Sequence, residues 1–448
     1  MRKLLFPILG ALSLAACSPS VKPSKTAVQI IPEQNPLTGV PFESAHTGIS
    51  IVEAESGKQL FGYNSNKYFV PASNTKLFTL FAALTYLKDS VPGMQYNASG
   101  DTVFLYPTGD PTFLQPEFKK QRVMDFLKST NKPLVVVTGA WKDNALGKGW
   151  NWDDYNSDYS PERSLFPVFG NLVRWNQVSQ RNTQPEVLDS FQTFVYSDPE
   201  VNWKVRFRED PLNQNFYVER KKDENVFEVT QGKELQKVVE VPFITNGVTS
   251  ALELLKDTVG RELTQTESAV MKPMSTIYSQ PLDSLLQKTM YRSDNFYAEQ
   301  LLLMVSNLKL GKMNNRAIID TLLKSELAGL PQMPAWVDGS GLSRYNLFTP
   351  DDFVWLLNKM QKDFGLARLK NILPGAGKGT LAGYYLQDSG YIFAKTGTLT
   401  GQLCLSGYLM SRKNKLLLFS VMVNNHRGNA TEVRRKIEAF LHEVRQKN

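Results

Sequence analysis

Two residues in the stretch PASNTKLFTLFAALTYL (71–87) are of types that could do covalent chemistry together: Ser73 and, three positions on, Lys76. Residues three apart on a helix share a face, so the serine hydroxyl and the lysine amine can meet. A serine attacks a carbonyl only when a base takes its proton, and a neutral lysine can be that base. Apolar burial favours neutral lysine, a second cation nearby pushes the same way, and the positive end of a helix dipole adds to both. The residues after Lys76 are apolar nearly all round, which marks a buried helix and puts the lysine where a charge is expensive. Taken alone, the pair also fits a helix-capping serine beside a snorkelling lysine. The same spacing recurs at Ser129–Lys132 and Ser306–Lys309, neither of which opens a buried helix.

Other chemistries have less support. The three histidines, His46, His426 and His442, show no metal-ligand spacing, and no G-x-S-x-G elbow is present, so neither a Ser-His-Asp hydrolase nor a zinc enzyme is indicated. No metal or cofactor is expected. The stretch LPGAGKGTLAG (373–383) has the look of a phosphate loop, but position 372 is Ile372 and the required glycine is missing.

Two further stretches change the weight of Ser73. Ser293-Asp294-Asn295 lies between two helical patterns, and Lys395-Thr396-Gly397 lies in the strand-like YIFAKTGTL. S-x-x-K, S-D-N and K-T-G in this order are the signature of the penicillin-recognising serine acyl-transferases. The long separation between the first two motifs makes the chain resemble the D-alanyl-D-alanine carboxypeptidase/endopeptidase family, the class C low-molecular-mass penicillin-binding proteins. PTGDPTF (107–113), GKGWNWDDYNSDY (147–159), DGSGLSRYN (338–346) and LPGAGKGTLAG extend the resemblance over nearly all of the chain.

The resemblance implies a division of roles. Ser73 attacks the penultimate D-Ala carbonyl of a peptidoglycan stem peptide, with Lys76 as base. Ser293 and Asn295 relay the proton and hold the substrate amide. Lys395 is the second cation, which also helps to keep Lys76 neutral, and Thr396 binds the terminal carboxylate. Gly397 completes the third motif, and the N–H groups of Ser73 and Thr398 form the oxyanion hole. Asp154, Tyr159 and Arg344 resemble a pocket for a diamino-acid side chain, with Thr400 nearby. The plainer reading of Asp154 and Arg344 is as structural loop residues. The family's partners are peptidoglycan peptides, with β-lactams as covalent inhibitors. A β-lactamase-like hydrolase or esterase, or a peptidoglycan-binding lipoprotein without catalysis, are the alternatives on the same scaffold.

The elements that must position these residues follow from periodicity. GISIVEAESGKQLFGYN reads as a hairpin. TVFLYP, KPLVVVTGAW, FQTFVYS, WKVRFRE, NFYVERK and KVVEVPF read as short strands, interrupted by a helix at FKKQRVMDFLKS. SALELLKDTVG, PLDSLLQKTM and NFYAEQLLLMVSNLKL read as helices. So does TPDDFVWLLNKMQKDFG, with Thr349 as N-cap and Pro350 next. Three strands and a C-terminal amphipathic helix close the chain. The expected fold class is α/β (α+β): a discontinuous β-lactamase/transpeptidase-like domain, residues 40–95 and 246–448, with an antiparallel sheet flanked by helices. A β-rich insert, residues 96–245, is looped out of it.

At 448 residues the chain is too long for one core. The net charge of +8 includes Arg2 and Lys3, and no run of five basic residues exists, so nucleic acid is not an expected partner. MRKLLFPILGALSLAAC has the basic start and short apolar run of a secretory signal. Leu14-Ala15-Ala16-Cys17 resembles a lipobox. This predicts a signal peptide at residues 1–16, lipidation of Cys17 and a flexible tether at 17–39. The protein is then a periplasm-facing lipoprotein, anchored but not spanning, and Ser18 favours the outer membrane. Cys404, the other cysteine, is expected in the core.

Overall fold

The structure is a computed structural model that describes residues 35–98, 100–181, 191–210, 212–268 and 271–448. The signal peptide, Cys17 and all but the end of the tether lie outside the described residues. No helix among the described residues is long and apolar enough to cross a membrane.

The hairpin pattern is realised as strands His46–Glu53 and Gln59–Tyr63, paired antiparallel. The three late strands are Ile392–Leu399, Gln402–Met410 and Leu416–Asn424. The last of them pairs with His46–Glu53, so the two ends of the chain build one five-stranded antiparallel sheet. QLCLSGYLM reads as continuously apolar because both faces of its strand are covered. Leu403, Leu405 and Leu409 pack with Val433, Ile437 and Leu441 of the C-terminal helix Ala430–Lys447. Cys404 and Tyr408, on the alternate positions, join the opposite core.

That second core is helical. The helices Lys76–Tyr86, Leu282–Arg292, Asn295–Leu310 and Pro350–Phe364 contribute Leu77, Phe78, Phe81, Leu285, Leu301 and Phe353 to it. Thr349 caps the last of these in a reciprocal capping box with Asp352, as its sequence predicts.

A second five-stranded sheet differs from expectation. In order across the sheet, its strands are Leu263–Thr266, Leu134–Val137, Val103–Pro107, Ser90–Asn97 and Ser275–Pro281. Two of its pairings are parallel, and each needs a helical crossover: Arg122–Ser129 for one, Thr249–Val259 for the other. The expected boundary at 95/96 cuts the strand Ser90–Asn97, and the one at 245/246 lies just ahead of the crossover helix Thr249–Val259. The sheet's outer strands, LTQT and STIYSQP, carry too few apolar residues to signal themselves. Leu254 and Leu255, read as part of the first domain, instead share a core with Val103, Val136 and Trp175. Two three-stranded sheets complete the β-rich region, one with Leu172–Arg181 at its centre and one with Val226–Thr230 at its centre.

Candidate active site

Ser73 does not sit in the α-helix that follows it. It lies in a 3₁₀ turn, Ala72–Thr75, and Lys76 is the first residue of the α-helix. The turn is entered through Ala72 at φ 47°, a left-handed conformation that a side chain adopts only under constraint. Gly397 explains part of that constraint. A Cβ at this position would fall 2.5 Å from the Pro71 carbonyl oxygen and 3.2 Å from the Ser73 nitrogen. Only glycine lets the strand Ile392–Leu399 lie this close to the turn. Gly341 does the same from the other side, where a Cβ would fall 1.9 Å from the Ala72 carbonyl oxygen.

Lys76 is fully buried, and its Nζ meets three oxygens. Ser73 Oγ is at 2.9 Å, Asn295 Oδ1 at 2.6 Å and the Ser340 carbonyl oxygen at 2.7 Å. The last two can only accept. A neutral amine has two N–H groups and one lone pair, so with both N–H groups given to the two carbonyls, the lone pair faces the serine hydroxyl. Burial lowers Lys76 to about 8, against the opposing pull of the Asp338, Asp294 and Glu299 carboxylates.

Lys395 is equally buried, with Nζ 2.8 Å from Ser293 Oγ and 2.7 Å from the Thr396 carbonyl oxygen. It lies well below the ordinary lysine range, first because it is buried and second because the Lys76 charge repels it. The two lysines repel one another, and burial is the largest cause of the lowering of both.

Ser293 closes the helix Leu282–Arg292 in a left-handed conformation, φ 59°. Asp294 then caps the next helix by accepting from the Tyr297 N–H at 2.9 Å, which points Asn295 back at Lys76. Asn295 Nδ2 donates to the Tyr159 carbonyl at 2.9 Å. Arg292, the residue before Ser293, pairs with Glu117 at 2.6 Å and with Asp294 at 3.5 Å.

An open cavity of about 640 Å³ lies over Ser73, Ser293 and Asn295. Asp154, Tyr159, Arg344, Thr396, Thr398 and Thr400 also line it. Asp154 accepts from the Tyr159 hydroxyl at 2.8 Å and from Asn151 Nδ2 at 3.2 Å. Arg344 Nη1 reaches the Thr400 carbonyl oxygen at 3.5 Å. The cavity lining therefore carries both a carboxylate and a guanidinium. Asn151 and Arg434 line it too and were not anticipated. Arg434, which donates to Thr398 Oγ1 at 3.3 Å, belongs to the charged C-terminal helix, where one arginine looks like any other. Asn151 lies within the GKGWNW stretch, and its neighbours could have drawn attention to it.

The other S-x-x-K pairs do different work. Lys132 donates to the Gly100 carbonyl at the surface, and Ser306 holds the carbonyls of Lys312 and Asn314. Cys404 is buried, and burial pushes its thiol far above the usual range, so it is no nucleophile. No cluster of potential metal ligands occurs among the described residues.

Comparison with known proteins agrees with this geometry. Residues 37–446 match the family described as D-Ala-D-Ala carboxypeptidase 3 (S13). A penicillin-sensitive carboxypeptidase A from Dictyostelium discoideum is 25% identical over 439 residues, covering 84% of this chain and 81% of that one. The D-alanyl-D-alanine carboxypeptidase DacB of Haemophilus influenzae is 25% identical over 408 residues, covering 81% and 82%. The crystal structure of penicillin binding protein 4 (dacB) from Haemophilus influenzae superposes with a TM-score of 0.72 at 19% identity, covering 91% of this chain and 98% of that one.

Proposed function

The chain belongs to the S13 family of D-Ala-D-Ala carboxypeptidases, serine hydrolases of D-alanyl-D-alanine peptides, and from that premise we propose that Ser73 is its nucleophile and Lys76 the base that activates it. The observation that most supports this reading is the 2.9 Å approach of Lys76 Nζ to Ser73 Oγ, with both N–H groups of a neutral amine already engaged elsewhere.

In the proposed reaction, Ser73 Oγ adds to the carbonyl of the penultimate D-Ala as its proton passes to Lys76. Oxyanion charge collects near the N–H groups of Ser73 and Thr398, donors each worth about 10²–10³ in rate. The proton then reaches the leaving amine by way of Ser293, whose hydroxyl Lys395 holds. Free D-Ala departs, and water cleaves the remaining ester. An amide NH₂ carries two hydrogens, so Asn295 can hold the Tyr159 carbonyl and a substrate carbonyl together. Thr396 takes the terminal carboxylate. β-Lactams acylate the same serine, a reading supported by the relative from Dictyostelium discoideum being a penicillin-sensitive carboxypeptidase.

Asp154, facing an ammonium, and Arg344, facing a carboxylate, suit the zwitterionic end of a meso-diaminopimelate side chain. Their shared place in the lining of the cavity lends support, as does the Tyr159–Asp154 bond. For the domain division, the sheet strands favour an insert running from Ser90 to Pro281 within a domain built from residues 40–89 and 282–448. The lipobox, Cys17 and Ser18 support a lipid-anchored protein facing the periplasm from the outer membrane.

The test is release of D-Ala from a muropeptide pentapeptide containing meso-diaminopimelate, followed by mass spectrometry of the product. The reading requires loss of one D-Ala with the parent protein and none with Ser73→Ala. Release by Ser73→Ala at the parent rate would overturn it.

A further inference from the structure

Glu299 lies one turn beyond Asn295 on the same helix and is fully buried. A buried carboxylate is costly unless it is fully engaged, and this one is. Its Oε1 accepts from the Ser340 N–H at 2.7 Å. Its Oε2 accepts from Asn315 Nδ2 at 2.9 Å and from Arg163 Nη1 at 3.4 Å. Arg163 is itself nearly buried and pairs with Asp143 at 3.2 Å.

Ser340 is the residue whose carbonyl receives Lys76. Glu299 thus fixes Ser340 on its N–H side, and the carbonyl on its other side is aimed at the Lys76 amine. Asp338, two residues earlier, is held comparably: it accepts from Trp150 Nε1 at 2.9 Å, from the Gly341 N–H at 2.8 Å and from the Ser343 N–H at 2.7 Å. Asp143, Trp150 and Arg163 all come from the long segment between the first and second motifs.

We propose that Glu299 is a positioning residue for the Lys76 base, acting through Ser340, and that Arg163 and Trp150 of the inserted region hold this support in place. The inference rests on the reading of Lys76 as the base. It gives the insert a part in catalysis: the insert is not merely carried by the catalytic domain but anchors two of the three carboxylates that bear on its base.

The charged groups that bear on Lys76 are the Asp338, Asp294 and Glu299 carboxylates and the Lys395 ammonium. Those around Glu299 are Asp338 and Arg163, and burial with the Asp338 charge pushes Glu299 up to about 7. Because the Glu299 charge favours protonated Lys76, removing it shifts the titration of Lys76 to lower pH.

Two variants separate charge from geometry. Glu299→Gln keeps an oxygen for the Ser340 N–H and loses the charge. It also fits the site, because Asn315 Oδ1 has no hydrogen-bond partner among the described residues and can turn to meet the new NH₂. Glu299→Ala loses the acceptor as well. The experiment measures acylation by a fluorescent penicillin from pH 6 to 9.5, with thermal melts to verify folding. The expected result for Glu299→Gln is an acid limb displaced downward by about half a unit or more. For Glu299→Ala it is a loss of about tenfold or more at every pH. Should the alanine variant not fold, the displaced limb of the glutamine variant decides alone. Parent-like rate and limb in both variants overturn the inference. So does an equal loss in both with the limb unmoved, which is the pattern of damaged packing. A parent protein with no acid limb overturns the base reading itself, and the inference with it.

Discussion

The sharpest consequence of the buried amine is a pH dependence. Lys76 is lowered from 10.5 to about 8 by burial. A group at about 8 is neutral in about one molecule in ten at pH 7, whereas an ordinary lysine is neutral in about one in three thousand. Burial therefore enlarges the population able to accept the Ser73 proton about 300-fold, equivalent to about 3 kcal/mol at the first step. The sign is fixed: the neutral amine is the active form, so acylation rises with pH until the amine is fully deprotonated. The second-order rate constant for a fluorescent penicillin is expected to climb about tenfold per unit below pH 7 and to bend near pH 8. Lys76→Arg stays charged throughout this range, so its rate should fall by about 10³ or more and show no climb. A parent profile that is flat between pH 6 and 8 would refute the reasoning. A folded Lys76→Ala variant that acylates as fast as the parent would refute it independently.

Other expectations follow from single contacts. Gly397→Ala places a methyl 2.5 Å from the Pro71 carbonyl oxygen, so the strand or the turn must move. The variant should lose about 1–3 kcal/mol in a thermal melt and acylate about tenfold more slowly or worse; parent-like values in both would mean that the close approach is dispensable. Asp154→Asn keeps the Tyr159 hydroxyl bond but removes the charge. Its KM for a peptide with a free diaminopimelate ammonium should rise about tenfold, with penicillin acylation unaffected; equal effects on both would place Asp154 in catalysis instead. Cys404 should react with iodoacetamide only after unfolding, since its thiol is buried and its pKa raised; rapid labelling of the folded protein would contradict this.

The site was legible in the sequence where residue type and context coincide. Lys76 meets Ser73 and Asn295, and Lys395 meets Ser293, because each is delivered by a local signal: a turn into a buried helix, a cap between two helices, a strand. The long-range consequences were not legible. Nothing in GTL states that Gly397 must clear the Pro71 carbonyl, nor in SGLSR that Gly341 must clear Ala72. The electrostatic setting of Lys76 also depends on three carboxylates, Asp294 and Glu299 from one helix and its cap and Asp338 from a later loop. The hairpin, the late strands and the major helices were readable from periodicity. The outer strands Leu263–Thr266 and Ser275–Pro281 were not, because they are largely polar and are paired by the sheet rather than by their own pattern. Arg434 and Glu299 stayed hidden for a related reason: each sits in a helix whose sequence explains it without reference to the site.

The most direct test is the identity of the nucleophile. Incubation with a labelled penicillin, digestion and mass spectrometry would locate the covalent adduct. The expected result is one penicilloyl group, on the peptide carrying Ser73, and none in Ser73→Ala. An adduct on any other residue, or an undiminished adduct in the alanine variant, would contradict it.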